Sequence, residues 1–344
     1  MNLAAAHAAG RARRAPHGVG RGPGVHAFRA GAMGSPLALT LVGASPQASV
    51  ATWAAVRDDV EASEQAMSRF RESGELVALN RRLGAPTAVS PRLYRALAAA
   101  ERARRSTEGR FDGRVLRDLE RLGEHGAEPG PPPRFPLADD ESPGTGERGD
   151  TPSVRRRPRS RLVRLDEPID LGGIGKGLAL RWAATHVERL APDAGYLLEA
   201  GGDIVCRGPA PDGPEWRIAI EAPDGAEDPP AIVAVDRGSV VTSSILVRRW
   251  RGPDGAEVHH LVDPRTHRPA DDGLVAVSVA GSDPAWSEVW SKSLFLAGRS
   301  GIGPLARARG IAAWWIDVDG SLSMTPAGRE RTLWVRDEAA TLPS

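Results

Sequence analysis

The sequence predicts an α+β fold, and three observations carry that reading. Strand-like runs come in groups. The amphipathic helical stretches between them stand isolated. No regular alternation of strand and crossover helix runs through the 344 residues, so a doubly wound parallel sheet is not indicated. With 41% hydrophobic and 26% charged residues, the chain has the composition of an ordinary globular protein with a sizeable core.

Taken in order, residues 1–25 are rich in Ala, Gly and Arg and read as a disordered tail. The stretch 30–56 carries no charge and is long enough for a membrane span on length alone. Pro36, Pro46, Gln47 and several hydroxyl residues divide it into a strand at 37–42, a turn and a helix start, so no stable membrane insertion is expected. Val50, Trp53, Val56, Val60, Ala66, Met67 and Phe70 fall near helical spacing and predict a helix over 50–71. A capped short helix follows at 73–80, and Ser90-Pro91 opens another, with Leu93, Leu97, Ala100 and Ala103 as its stripe to about Ser106. Residues 124–160 are rich in Pro, Gly and charge without apolar periodicity, and read as a flexible insertion and solvated linker. Structure resumes with a strand at 161–165 and a helix at 176–190. Strands are then expected at 196–207, 215–221, 231–235, 258–264 and 273–281, a helix at 284–298, and a last strand before a tail at 337–344.

Basic and acidic residues balance, 45 against 44, so no global field for nucleic acid or a membrane surface is present. Only two of the 45 basic residues are lysine, Lys176 and Lys292. Where a compact point charge is needed, Arg and Lys are not equivalent, so these two positions draw attention. The single Cys206 has no partner for a disulfide or a CxxC site, which suits a reducing compartment. A cytoplasmic location is the expectation, with Arg13-Arg14 leaving twin-arginine export as the alternative.

The sharpest chemical signal is Asp170-Leu171-Gly172-Gly173-Ile174-Gly175-Lys176-Gly177, running into a helix. Glycines let backbone N–H groups approach a ligand, and the helix start and Lys176 add positive charge, which suits a phosphate. It is not a P-loop: Gly177 follows Lys176, and Asp170 stands where that motif has its first glycine. Three weaker signals follow. Gly201-Gly202-Asp203 suits a hairpin turn. Thr242-Ser243-Ser244 after a strand suits a phosphate or a turn cap. In His259-His260-Leu261-Val262-Asp263-Pro264, strand alternation sends the two histidines to opposite faces, so at most one faces a site, where it could serve as a general base. Glu288 and Lys292 lie four apart on one helical face, which allows either a salt bridge or a metal-binding carboxylate.

Together and in this order, SGELVALN, GRFDGRV, DLGGIGKG, AGGD, VTSS, HHLVDP and the 286–298 segment resemble the successive motifs of the FAD:protein FMN transferases, the ApbE-like flavin transferases. GAMGSPLALTL resembles that family's opening strand. The resemblance spans about residues 28–336 and implies one transferase domain over 26–336. It would have two lobes of mainly antiparallel sheet flanked by helices, with FAD in the cleft between them. A partner protein's threonine would attack the FMN-side phosphorus, AMP would leave, and a divalent metal such as Mg2+ would assist. The resemblance implies that Asp170, Gly172, Gly173, Gly175 and Gly177 form the floor of the site, with Lys176 beside it. Met33 and Asn80 would lie near the flavin or adenine, Asp203 near the adenosine half, and Thr242 and Ser243 with the dinucleotide. His260 would be the base, and Glu288 with Gly175 would hold the metal. The family usually carries Ala-Asp-Ala-x-x-Thr in the penultimate helix. Here Glu288 replaces the Asp and Lys292 the Thr, and a protonated lysine cannot ligate a metal. The expectation is that the Lys292 ammonium occupies or crowds the metal's position. Gly113 replaces a family proline and is expected to loosen its turn. Two alternatives stay open on the sequence: a flavin-binding protein without efficient transfer, and a pyrophosphatase releasing FMN and AMP.

Overall fold

A computed structural model describes residues 24–124, 154–221 and 228–336. The tail at 337–344 and all of residues 1–25 except Gly24 and Val25 lie outside these residues, as does most of the expected insertion. The α+β expectation holds. Eight antiparallel strands form the central sheet, running Val25–Ala32, Ser35–Val42, Gly195–Ala200, Asp203–Arg207, Arg237–Ser244, Leu274–Gly281, Ala312–Asp317 and Leu322–Met324 from edge to edge.

Alternation explains how the sheet acquires two covered faces. Leu37, Leu39 and Leu41 point to one side and pack on Val56, Val60, Leu180, Ala183 and Val187 of two helices, Pro46–Met67 and Gly175–Leu190. A third helix, Pro284–Phe295, lies on the same face. Val240, Ala280, Trp314 and Ile316 point the other way and meet Trp216, Ile218 and Val233 of a three-stranded sheet. A further core gathers Leu76, Leu79, Leu93, Leu97, Val163 and Leu165 with Ile174, Leu178 and Val289. This second lobe is thereby docked on the starts of two of the sheet's helices.

Three expectations change. Val25–Ala32 is a strand, paired with Ser35–Val42, where the sequence signal began only at Leu37. The arginine run assigned to the linker is a strand at Val154–Arg157, paired with Leu162–Leu165. Arg155 pairs with Asp166 at 3.2 Å, and the Arg156 guanidinium lies 5.3 Å from the centre of the Tyr94 ring, so local charge neutralisation makes ordered structure out of a polar run. The last predicted helix stops at Phe295, and a second one runs Gly298–Ala308. Its three glycines and Pro304 are poor helix formers, and tertiary packing of Ile302 and Ala306 overrides them. Among the described residues no helix is long and apolar enough to cross a membrane.

Candidate active site

The glycine-rich turn is held from below by backbone geometry. Asn80 is buried and spends its whole amide on Ile169: its Nδ2 donates to the Ile169 carbonyl at 2.8 Å, and its Oδ1 accepts from the Ile169 N–H at 2.9 Å. Asn80 thereby ties its short helix to Ile169, the residue before the turn. Gly113 does not loosen its own turn. Its carbonyl accepts from the Asp170 N–H at 2.7 Å, and a Cβ there would stand 2.9 Å from the Asp170 carbonyl oxygen. Gly173 is required for another reason, since a Cβ would meet the Phe111 ring at 2.8 Å. The Asp170 carboxylate closes the turn by accepting from the Gly172 N–H at 3.0 Å, and pairs with the buried Arg69 at 3.1 Å.

The helix beginning at Gly175 crosses the helix beginning at Pro284 at Gly177, so Lys176 and Glu288 come close together. Glu288 is fully buried. Its Oε2 accepts from the Gly177 N–H at 2.8 Å, and its Oε1 lies 3.3 Å from the Lys292 ammonium. Lys176 forms a tight ion pair with the buried Asp203. Burial pulls the Lys176 ammonium down, but Asp203 and then Glu288 outweigh it and hold it above its ordinary value. Burial pushes the Asp203 carboxyl up against the opposing pull of Lys176. The buried Oδ1 of Asp203 has no hydrogen-bond partner among the described residues. Asp203 follows Gly201 and Gly202, whose φ values of 59° and 87° make the expected hairpin turn.

The two histidines diverge, but not by alternation along one strand: the expected strand over 258–264 ends at His259, His260 lies in a bend, and pairing resumes at Val262. His259 points inward, with Nε2 2.8 Å from the Ala270 carbonyl, Nδ1 accepting from the Leu261 N–H, and its ring edge-on to Phe295. His260 lines an open cleft with Gly172, Gly173, Phe111, Arg248 and Lys292. Its Nδ1 sits 3.3 Å from the Arg248 carbonyl, an acceptor, which assigns the ring proton to Nδ1 and leaves Nε2 as the free acceptor. Burial first, then the charges of Arg248 and Lys292, hold this imidazole well below 6.5, so it is neutral.

Asp170, Gly172, Gly173 and His260 thus share one cleft, with Lys176, Gly177, Asp203 and Glu288 forming a charged cluster beside it. Met33 sits on the tight turn between the first two strands at φ 52°, its methyl 4.0 Å from where a Gly175 Cβ would be. Thr242 and Ser243 lie on opposite faces of their strand. The Thr242 hydroxyl bonds Ser278 at 2.7 Å, and the buried Ser243 hydroxyl bonds Ser291 at 2.7 Å, so Ser243 ties strand to helix. Sequence reasoning missed the chain Arg248–Glu124–Arg69–Asp170, in which the buried Glu124 joins two guanidiniums and so links the His260 segment to the glycine turn. No motif marks it. Phe111 was signalled only as part of GRFDGRV.

The ApbE family model matches residues 33–315. Among curated proteins, the FAD:protein FMN transferase of Salmonella typhimurium is 26% identical over 322 residues, which is 89% of this chain and 88% of that protein. Among solved structures, the ApbE protein of Thermotoga maritima superimposes with a TM-score of 0.78 at 23% identity, over 89% of this chain and 99% of that one. The apo form of the flavinyl transferase ApbE of Pseudomonas stutzeri gives 0.74 at 25% identity, over 89% of this chain and 96% of that one.

Proposed function

The chain belongs to the ApbE family, and from that premise we propose that it transfers FMN from FAD to a threonine hydroxyl of an acceptor protein, releasing AMP. The observation that supports this most is one cleft holding both halves of the required chemistry: a glycine turn with exposed backbone and lysine charge for a pyrophosphate, and a neutral imidazole with a free Nε2. In the proposed step the threonine Oγ bonds to the FMN-side phosphorus while the bond from that phosphorus to the bridging oxygen breaks. The bridging oxygen leaves with AMP. His260 Nε2 takes the hydroxyl proton, and the lysines and backbone N–H groups face the phosphate charge.

The magnesium that the resemblance implies at Glu288 and Gly175 does not fit the donors present. Both oxygens of Glu288 are engaged, by the Gly177 N–H and by Lys292, and among the described residues no three His, Cys, Asp or Glu side chains gather into a metal-binding group. The same ion pair favours a second reading, a flavin-binding protein with weak transfer. Incubation with FAD and a threonine-containing acceptor domain decides between them. The acceptor should gain the mass of one FMN. Bound FAD without labelling supports the second reading, and free FMN without labelling supports pyrophosphatase action.

A pH profile follows from the depressed imidazole. Transfer needs His260 neutral, and a lowered value means protonation begins only well below 6.5. The kcat/KM for transfer should stay level from pH 8 down through 6.5. An inflection at the ordinary histidine value would count against His260 as the base.

A further inference from the structure

We propose that the Lys292 ammonium is the resident counter-charge for the dinucleotide's phosphates, so that this protein binds FAD without a divalent metal. The inference rests on the transfer reading and specifies how its site is charged. The stem of Lys292 runs along the glycine turn: a Cβ on Gly173 would stand 3.3 Å from its Cδ and 3.4 Å from its Cε. That path carries the ammonium to the cleft lined by Gly172, Gly173 and His260. There it meets Glu288 at 3.3 Å, a long ion pair that uses one of its three donors. Lys176 is paired instead with the buried Asp203. Glu288 takes one of the three N–H donors of Lys292, and a pyrophosphate entering the cleft bonds the others, so the buried carboxylate keeps its cation. A divalent ion seated on Oε1 of Glu288 would lie against that same ammonium, and like charges at such range oppose each other. The carboxylate itself is fully buried and needs a cation. Lys292 supplies it covalently.

The test measures FAD affinity of the whole protein by flavin fluorescence, with chelator and with added Mg2+. Wild type should bind equally well in both. Lys292→Met keeps the stem without the charge, and should lose at least about tenfold in chelator, the loss expected of one charge-assisted hydrogen bond. Lys292→Thr should lose as much in chelator and recover with Mg2+, because the freed Glu288 then needs a cation. A wild-type affinity that falls tenfold on chelation overturns the inference, as does a Lys292→Met protein that matches wild type in chelator. The wild-type arm does not depend on how well the variants fold. If wild type binds FAD in neither condition, the transfer reading fails and the inference falls with it, a result distinct from binding that merely requires Mg2+.

Discussion

Replacing His260 with alanine is expected to cut FMN transfer by roughly 10²–10⁴-fold, the usual worth of a positioned general base, while FAD affinity changes little. The asymmetry follows from what the ring touches. Its contact within the protein is the Arg248 carbonyl at 3.3 Å, and it carries no charge to hold a phosphate, because burial beside Arg248 and Lys292 keeps it neutral. Removing it deletes a proton acceptor and leaves the glycine turn, Lys176 and Lys292 in place. Single-turnover transfer to an acceptor and equilibrium FAD binding should be measured on the same preparation. Equal losses in both would assign His260 to binding instead. His259→Ala serves as the contrast. That ring packs on Phe295 and bonds Ala270, so its loss should lower thermal stability more than it lowers the transfer rate of the folded fraction.

Gly177→Ala is expected to destabilise the fold by about 3 kcal/mol, the upper part of the overpacking range, and to lower Tm by roughly 4–5 °C. A Cβ at this position would stand 2.5 Å from both the Ala285 Cα and the Pro284 carbonyl oxygen. Both are backbone atoms at the start of the facing helix, so a side-chain rotation offers no relief and the helices must separate. Separation would also stretch the 2.8 Å bond from the Gly177 N–H to Glu288, loosening the carboxylate that faces Lys292. Gly175→Ala is the matched control two residues earlier. Its Cβ would meet nothing nearer than the Met33 methyl at 4.0 Å, and alanine is the better helix former. Equal melting temperatures for the two variants would refute the close-crossing argument.

Part of this molecule is legible along the chain because the responsible forces act over a few residues. Alternation at Leu37, Leu39 and Leu41 marks a strand with one buried face, and Ser90-Pro91 marks a helix start. The concentration of glycine around Lys176 signals a turn whose backbone can be approached closely, before any neighbour is known. The Gly298–Ala308 helix was not legible, since its residues disfavour helix and only burial of Ile302 and Ala306 supports it.

Tertiary structure decided which polar groups neutralise one another. Asn80 meets Ile169 across 89 positions, the Glu288 carboxylate meets Gly177 across 111, and Glu124 meets Arg248 across 124. Ile169, Gly177, Arg248 and the two glutamates have the same residue type as many others in the chain, and no local pattern selects them. Selection comes from burial: once the lobes close, a carboxylate or amide removed from water must find a donor or acceptor within reach, and the fold determines which one that is. The sequence by itself established the α+β class, the glycine turn and the presence of two unusual lysines. Folding assigned them different work, holding Lys176 on Asp203 and leaving Lys292 loosely paired at the cleft.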